Sequence, residues 1–296
     1  MKEPDQAIRH HDDPDLFRAA LAYTAAGTGF SARLIEKDYF CTVLLSYLAA
    51  TSKELAFKGG TCLAKVHANF YRMSEDLDFV ISSPCDASRK ERSLRVASLR
   101  KRIDELPGRL PVFLVNKPLS GANDSKQYLA EIGYSSLNTG DLETIKLEVS
   151  LREPLLIPMS IAQARTILLN PITKKPSVAP VTITCLSLLE SFAEKFRAAL
   201  SRRDPAIRDF FDIDYAERKL GINAREPGLV ELIRKKMAIP GNEPTDVSAS
   251  RLATLRRQIT SQLKPVLRER DLEEFNLDRS FETVRKMAEL LANKDF

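Results

Sequence analysis

The chain has 296 residues, of which 44% are hydrophobic and 29% charged, and its formal net charge is +5. This size and composition are typical of a soluble globular protein with one large domain or two ordinary ones. No run approaches 18 uncharged apolar residues and the polar N-terminus does not resemble a signal peptide, so we expect a cytoplasmic protein with no membrane-spanning part. The modest positive charge is compatible with a nucleotide or nucleic-acid partner.

The cysteines and histidines do not form a motif. There is no CxxC pair, and the spacing predicts neither a zinc site nor a disulfide framework. Because all four cysteines lie in apolar segments, we interpret them as small buried hydrophobic residues. No histidine has a partner suited to a zinc site or a catalytic triad. The cysteines and histidines are Cys41, Cys62, Cys85, Cys185, His10, His11 and His67.

The first elements are helical. Residues 14–26 and 31–50 have helical periodicity, and Ser31 is a suitable N-cap for the second helix. That helix carries the charged triplet 36–38 among apolar residues, and its simplest interpretation is an exposed stripe on the outer face. The apolar run LAFK then stops at two glycines, which predicts a strand and a tight turn.

Helical periodicity resumes over residues 61–72 and is followed by DLDFVI, whose alternation predicts a strand with its two acids on one face. Residues 87–105 predict a basic amphipathic helix. Three further strands are predicted, with hairpin-type turns at 121–124 and 138–141. The first half is therefore mixed α/β with an antiparallel or mixed sheet. The three further strands are 110–117, 126–134 and 144–152.

A proline-rich connection follows, and the pattern is almost entirely helical from Cys185 onward. We predict two domains: an α/β domain over residues 1–180 and a helical domain over 181–296. The helical region holds two further basic zones, around Arg202 and Arg256. Each basic zone is either a solvated helix face or a surface for phosphates.

Asp76 and Asp78 are the candidate metal ligands. At positions i and i+2 of a strand they lie about 6–7 Å apart at Cα, so both carboxylates can converge on divalent cations. Mg²⁺ prefers hard oxygen ligands and is often held by one or two carboxylates together with substrate phosphates. Glu148, on the same face of the predicted strand as Lys146 and Ser150, is the candidate third carboxylate.

The glycine turn is the candidate phosphate site. Gly59, Gly60 and Thr61 follow a strand and open a helix, where the backbone can approach a phosphate closely. Other side chains from the same stretch are placed to contact phosphates. They are Lys58, Lys65, Arg72 and Ser74.

The stretch FKGGTCLAKVHANFYRMSEDLDFVI resembles the signature of the AbiEii/AbiGii toxin family of nucleotidyltransferase-like proteins, which includes MenT-type toxins of toxin–antitoxin systems. The EKDY element at 36–39, IKLEVS at 145–150, Lys195 and Asp212 are similar to further motifs of that family, in its order. The resemblance implies a polymerase-β-like nucleotidyltransferase core followed by a helical domain that completes the active-site cleft.

The resemblance also implies roles for individual residues. Asp76 and Asp78 would bind Mg²⁺, and Gly59, Gly60 and Ser74 would cradle the triphosphate. Lys195 would reach the phosphates, and Asp212 would act as a base or position other groups. Asp209 and Asp214 compete with Asp212 for this place, and Glu148 is either a ligand or part of the strand.

The implied activity is Mg²⁺-dependent transfer of a nucleoside monophosphate from an NTP to RNA, above all the 3′ end of tRNA, with a toxic outcome. A cognate antitoxin is the implied partner. The alternatives are transfer to a protein or small molecule and a nucleotide-binding regulatory module without turnover. The intact Ser74-x-Asp76-x-Asp78 pattern argues against the last of these.

Overall fold

The computed structural model describes residues 8–293. The chain divides into two compact units, Met1–Leu186 and Ser187–Phe296. The first is mixed α/β and the second is helical, as predicted. The boundary follows Leu186 and not residue 180, because residues 181–185 form a strand that joins the sheet of the first unit.

A mixed sheet forms the centre of the first unit. Within the described residues its strands are β1 (Leu55–Lys58), β2 (Leu77–Ile81), β3 (Phe113–Ala122), β4 (Gln127–Ser135), β5 (Leu142–Ser150), β6 (Ser160–Ala164) and β7 (Val181–Cys185), in the order β3-β4-β5-β2-β1-β7-β6. Strand β2 pairs antiparallel with β1 and parallel with β5, which confirms the mixed sheet. The strand that carries Asp78 is therefore central, with a neighbour on each side.

The helices of the first unit follow the predicted order, with one shortened element. The helix predicted over residues 61–72 ends at His67, because Asn69 and Phe70 have φ of 47° and 57°, in the left-handed region. A π-helical segment, Leu63–His67, continues directly from α3. The helices are α1 (Pro14–Thr28), α2 (Ala32–Ala49), α3 (Gly59–Cys62), α4 (Arg89–Arg95), α5 (Ala97–Asp104) and α6 (Leu106–Arg109).

The basic segment at 89–102 is used partly for internal contacts. Arg92 is buried and donates to the carbonyls of Cys85 and Asp124. The Arg102 guanidinium lies 3.8 Å from the Tyr47 ring centroid and donates to the Tyr47 carbonyl. Its exposed cations include Arg89, Lys90 and Lys101, so only part of this segment remains for a phosphate-bearing partner.

Helix α2 is almost wholly buried. Phe40 lies between Phe17 of α1 and Tyr134 of β4, at ring-centroid distances of 6.1 and 4.2 Å. The charged triplet on this helix is buried as well: Glu36 is 0%, Lys37 8% and Asp38 3% exposed. The expected exposed stripe is therefore wrong.

Each residue of this triplet has partners in a different segment. Glu36 accepts hydrogen bonds from the Ser136 hydroxyl and from the amides of Leu137 and Asn138, in the turn after β4. Lys37 lies 3.2 Å from carboxylate oxygens of both Glu75 and Glu143. Because consecutive helical residues point about 100° apart, three adjacent charges reach three separate segments.

Asp38 connects α2 to two distant segments of the chain. Its carboxylate forms an ion pair with Lys65 and accepts from the Thr166 hydroxyl and the Ile167 amide. The Lys65 ammonium also donates to the Thr42 hydroxyl at 2.7 Å and to the Asp38 carbonyl at 3.0 Å. This network fastens the π-helical segment to α2.

The helices of the second unit begin at polar caps. Ser187, Ser248 and Asn276 accept amide hydrogen bonds at the starts of the helices that follow them. Stacked Phe210 and Phe281 form part of its core. The helices are α7 (Leu188–Ser201), α8 (Ile207–Lys219), α9 (Pro227–Met237), α10 (Ala249–Gln258), α11 (Glu269–Glu274) and α12 (Leu277–Ala292). None of the helices in residues 8–293 combines the length and apolarity needed to cross a bilayer.

We expect Lys65→Met to lower the free energy of unfolding by about 3–5 kcal/mol, because it leaves a buried carboxylate without its cation. Urea unfolding of the purified variant measures this. Lys101→Met, at an exposed lysine, is the matched control and should stay within about 0.5 kcal/mol of the parent. An unchanged stability combined with lost NTP binding would instead support the nucleotide contact predicted for Lys65.

Candidate active site

The glycine turn and the strand acids are in direct contact. Gly59 has φ of +77°, and a Cβ atom built on it would lie 2.1 Å from Oδ2 of Asp78. A side chain at position 59 is thus excluded both by backbone conformation and by the carboxylate. Gly59, predicted as part of a phosphate turn, therefore also makes room for the predicted metal ligand Asp78.

Gly60 makes room for a second pair of polar groups. A Cβ atom there would lie 2.5 Å from Nη2 of Arg72 and 3.0 Å from the Ser74 hydroxyl. The Arg72 side chain is buried, donates to the Met73 carbonyl and lies over the Tyr71 ring. The structure thus brings a guanidinium and a hydroxyl to the turn, and their contact with phosphates stays a prediction.

Thr61 is buried, and its hydroxyl donates to the backbone carbonyl of Asp76. This contact ties the first turn of α3 to the residue that precedes β2. Thr61 therefore holds the Asp76 backbone, which favours a positioning role over the predicted nucleotide contact.

Three candidate residues form a row across neighbouring strands. Asp78 of β2 is the register partner of Lys58 in β1 and of Glu148 in β5. Register partners project from the same face of a sheet, with adjacent strands about 4.8 Å apart. All three side chains are partly exposed. The buried neighbours Ile145, Leu147 and Val149 confirm the predicted alternation along β5.

The donor set fits a hard divalent cation. Asp76, Asp78 and Glu148 offer only carboxylate oxygens, which Mg²⁺ prefers. The absence of a side chain at Gly59 leaves room for the Asp78 carboxylate at the turn. In the predicted site Asp76 and Asp78 would hold Mg²⁺, with Glu148 as the candidate third ligand.

Glu75, the residue before Asp76, belongs to a cluster of four charged side chains. Glu75 lies 2.8 Å from Arg33 and 3.2 Å from Lys37, and both cations also contact Glu143. Burial alone would raise the pKa of Glu75, but Lys37 and Arg33 outweigh it and lower that pKa below its ordinary value. Glu75 is thereby held as a carboxylate against α2, which fixes the chain where the acidic pair begins.

In the helical unit, the structure brings Lys195 and Asp212 together. Nζ of Lys195 lies 2.8 Å from a carboxylate oxygen of Asp212 and 2.8 Å from one of Asp209. Asp212 is fully buried and Asp209 is 5% exposed. Two buried carboxylates that hold one ammonium favour positioning of Lys195 over general-base chemistry at Asp212.

Asp214 has different partners. Its carboxylate contacts Arg218 and Arg279 at 2.9 and 2.6 Å, so it belongs to a separate ion-pair cluster of α8 and α12. Of the three aspartates weighed from the sequence, the two with period-3 spacing contact Lys195, as expected for one helix face.

Sequence reasoning missed the support behind these groups. The sequence predicts exposed positions for the charged triplet on α2, but the triplet is buried. The sequence also predicts a phosphate contact for Lys65, whose ammonium is buried among Asp38, Thr42 and the Arg165 carbonyl. A usable signal was present: three adjacent charges inside an otherwise apolar helix leave little surface for them.

A family model described as nucleotidyl transferase AbiEii toxin, type IV toxin–antitoxin system, matches residues 43–287. MenT4, a nucleotidyltransferase toxin from Mycobacterium tuberculosis H37Rv, is similar in structure, with a TM-score of 0.61 and 21% identity over 94% of this chain and 90% of that one. JHP933 from Helicobacter pylori aligns with a TM-score of 0.45 and 16% identity over 88% of each chain. No curated protein sequence matches. The likeness to MenT4 confirms the predicted fold class.

We expect Gly59→Ala to impair the site far more than its effect on stability suggests. The positive φ alone costs about 1–2 kcal/mol in the free energy of unfolding, but the new methyl group also displaces the Asp78 carboxylate. Gly140→Ala is the matched control, since Gly140 has φ of +81° and nothing within 4 Å of its Cβ position. Urea unfolding should show Gly59→Ala to be at least as destabilised as Gly140→Ala, and nucleotidyl transfer should survive only in Gly140→Ala. Equal activity in both variants would contradict the close contact.

Glu75 should make stability depend on pH in the acid range. Since its pKa is lowered in the folded protein, its contribution is complete above the unfolded-state pKa and is lost as the pH falls through the folded-state pKa. The stability difference between the parent and Glu75→Gln should therefore shrink as the pH falls below about 4.3. Urea unfolding at a series of pH values measures it, with Glu54→Gln, at an exposed position, as the control. A pH-independent difference would contradict this.

Proposed function

The chain belongs to the AbiEii family of nucleotidyltransferase toxins, and on that premise we propose that it transfers a nucleoside monophosphate from an NTP to RNA, with the 3′ end of tRNA as acceptor. In this reaction an acceptor hydroxyl oxygen bonds to the α-phosphorus and pyrophosphate leaves. As a toxin of a toxin–antitoxin family, it acts with a nucleotide substrate and a cognate antitoxin. Its proposed substrates place it in the cytoplasm.

The observation that carries this proposal is the row Lys58, Asp78 and Glu148 beside the Gly59 turn. It offers carboxylates for a cation and, next to them, a turn without side chains that a phosphate can approach. Both parts are needed, because the carboxylates without a cation would repel a triphosphate and the glycine turn by itself would not activate one.

In this proposal the acidic residues bind the metal ion, and the glycines, the hydroxyl and the basic residues bind the triphosphate. Asp76, Asp78 and Glu148 hold Mg²⁺, which when bound supplies Lewis-acid stabilisation of the phosphate charge. Gly59 and Gly60 admit the triphosphate, and the Ser74 hydroxyl and the Arg72 guanidinium bind its oxygens. Lys58 offers a further cation on the same row. Thr61 positions Asp76 through a hydrogen bond to its backbone carbonyl.

We assign Lys195 to the same reaction from the family resemblance. Its ammonium is held by Asp209 and Asp212 at 2.8 Å, so its rotamer is restricted before any substrate arrives. A preorganised cation stabilises the charge that develops on transferring phosphates without reorganising. In this proposal Asp212 acts through Lys195.

RNA is favoured as acceptor because a polyanion matches the net charge of +5 and the exposed cations near Arg89. The internal contacts of Arg92 and Arg102 reduce that surface. The proposal of RNA over a protein acceptor therefore rests mainly on the family resemblance, and following the label into RNA and protein tests it.

The test incubates the protein with each α-labelled NTP, Mg²⁺ and total tRNA, and follows label into RNA and into protein. We expect label in tRNA from the parent and background label from Asp76→Ala and Asp78→Ala. Asp86→Ala, at an exposed aspartate of the same unit, should label like the parent. Glu148→Gln should require more Mg²⁺ for the same rate if Glu148 is a ligand.

Label confined to protein would replace RNA with a protein acceptor. Transfer that persists in Asp76→Ala and Asp78→Ala would remove the carboxylates from the mechanism. Induced expression of the parent should stop bacterial growth, and expression of Asp78→Ala should not.

A further inference from the structure

Three ligating side chains converge just behind the glycine turn. Cys62, His67 and Cys185 each offer a ligand atom, and these atoms all lie within 4.8 Å of one another. They come from α3, from the π-helical segment and from the end of β7. Both cysteines are fully buried, and the histidine is partly exposed. This arrangement contradicts the expectation that no histidine or cysteine has a suitable partner.

The cysteines do not behave as one class. Cys85 is exposed, so the prediction of four buried cysteines is wrong for it, and Cys41 is buried on α2. Only Cys62 and Cys185 belong to the convergent group of the described residues. The sequence could not reveal it, because 62 and 185 are brought together only by the pairing of β1 with β7, in which Phe57 and Cys185 are register partners.

The ligand chemistry differs from that of the carboxylate row. Two thiols and an imidazole suit a borderline or soft cation such as Zn²⁺, whereas Mg²⁺ requires oxygen ligands. With Zn–S near 2.3 Å and Zn–N near 2.0 Å, tetrahedral ligand atoms lie about 3.5–3.8 Å apart. The three ligand atoms lie within 4.8 Å of one another, so a small inward movement of their side chains would bring them to this spacing.

The surroundings support a fixed set of ligands. Nε2 of His67 lies 3.1 Å from the Leu186 carbonyl oxygen, and such a carbonyl contact orients the ring of many metal-ligating histidines. The Ser160 hydroxyl lies 3.5 Å from Sγ of Cys185. Hydrogen bonds from Cys62, His67 and Ser160 together lower the pKa of Cys185 to about 4, against the effect of burial.

We propose that Cys62, His67 and Cys185 form a binding site for a thiophilic divalent cation of the Zn²⁺ class, distinct from the carboxylates of Asp76 and Asp78. Three protein ligands leave a fourth position for water or a substrate group. The bound cation fastens the segment after the glycine turn to β7. Both thiols bind the cation as thiolates, so binding releases thiol protons to solvent.

Co²⁺ is the probe, because a thiolate–cobalt bond gives a charge-transfer absorption that carboxylate ligation does not. The reduced chain carrying Asp76→Ala and Asp78→Ala removes the oxygen site from the titration. We expect a single equivalent of Co²⁺ with charge-transfer absorption, displaced by Zn²⁺, and an upward shift in Tm with Zn²⁺. In this doubly substituted background, Cys85→Ser should leave Co²⁺ binding unchanged. Cys62→Ser and Cys185→Ser should each lose the charge-transfer absorption.

Absence of the charge-transfer band in the parent, or its persistence in both Cys62→Ser and Cys185→Ser, would overturn the proposal. A Cys62–Cys185 disulfide seen by intact mass, with no uptake by the reduced chain, would also overturn it. If the serine variants do not fold, His67→Gln decides at a partly exposed ligand: we expect affinity weaker by about tenfold or more, equal to 1.4 kcal/mol, and unchanged affinity would refute the site. None of these readouts depends on nucleotidyl transfer.

Discussion

The burial of consecutive charges on α2 is the constraint around which the N-terminal unit is arranged. An ion taken out of water loses several kcal/mol of hydration, so it remains buried only where partners replace that water. Glu36 finds amide donors in the turn after β4, Lys37 finds Glu75, and Asp38 finds Lys65. The partners of Lys37 and Asp38 lie in the segments that carry Asp76 and the glycine turn, whereas Glu36 fixes the turn between β4 and β5.

The faces of the strands could be predicted, and their neighbours could not. Alternation with period 2 is a local property, so it correctly assigned Asp78 and Glu148 to partly exposed positions beside buried apolar residues. That Glu148 is the register partner of Asp78 depends on a parallel pairing between strands about 70 residues apart, at the strand spacing of β-sheets. The strand pairing, and not the local sequence, places Glu148 in the same row as Asp78.

The failures share a different cause. The local sequence predicts an exposed charged stripe on α2, a phosphate contact for Lys65 and no metal-site partner for His67. Their environments are set by groups far along the chain, such as Thr166 on Asp38 and Leu186 on His67. Sequence patterns report what a segment prefers in water, whereas burial depends on which partners the topology delivers.

The nine residues from Gly59 to His67 bring these constraints onto one short segment. Gly59 meets the Asp78 carboxylate, Thr61 holds the Asp76 backbone, and Lys65 is fixed to Asp38. A regular α-helix repeats every 3.6 residues, and the widened π turn over Leu63–His67 alters that repeat, so the side chains of the segment are aimed differently from those of a regular helix. Cys62 and His67 lie on the same segment, so a cation held there would share its backbone with the turn proposed to admit phosphate. Binding at the proposed thiol site would then bear on the placement of the Asp78 carboxylate through the backbone of this one segment.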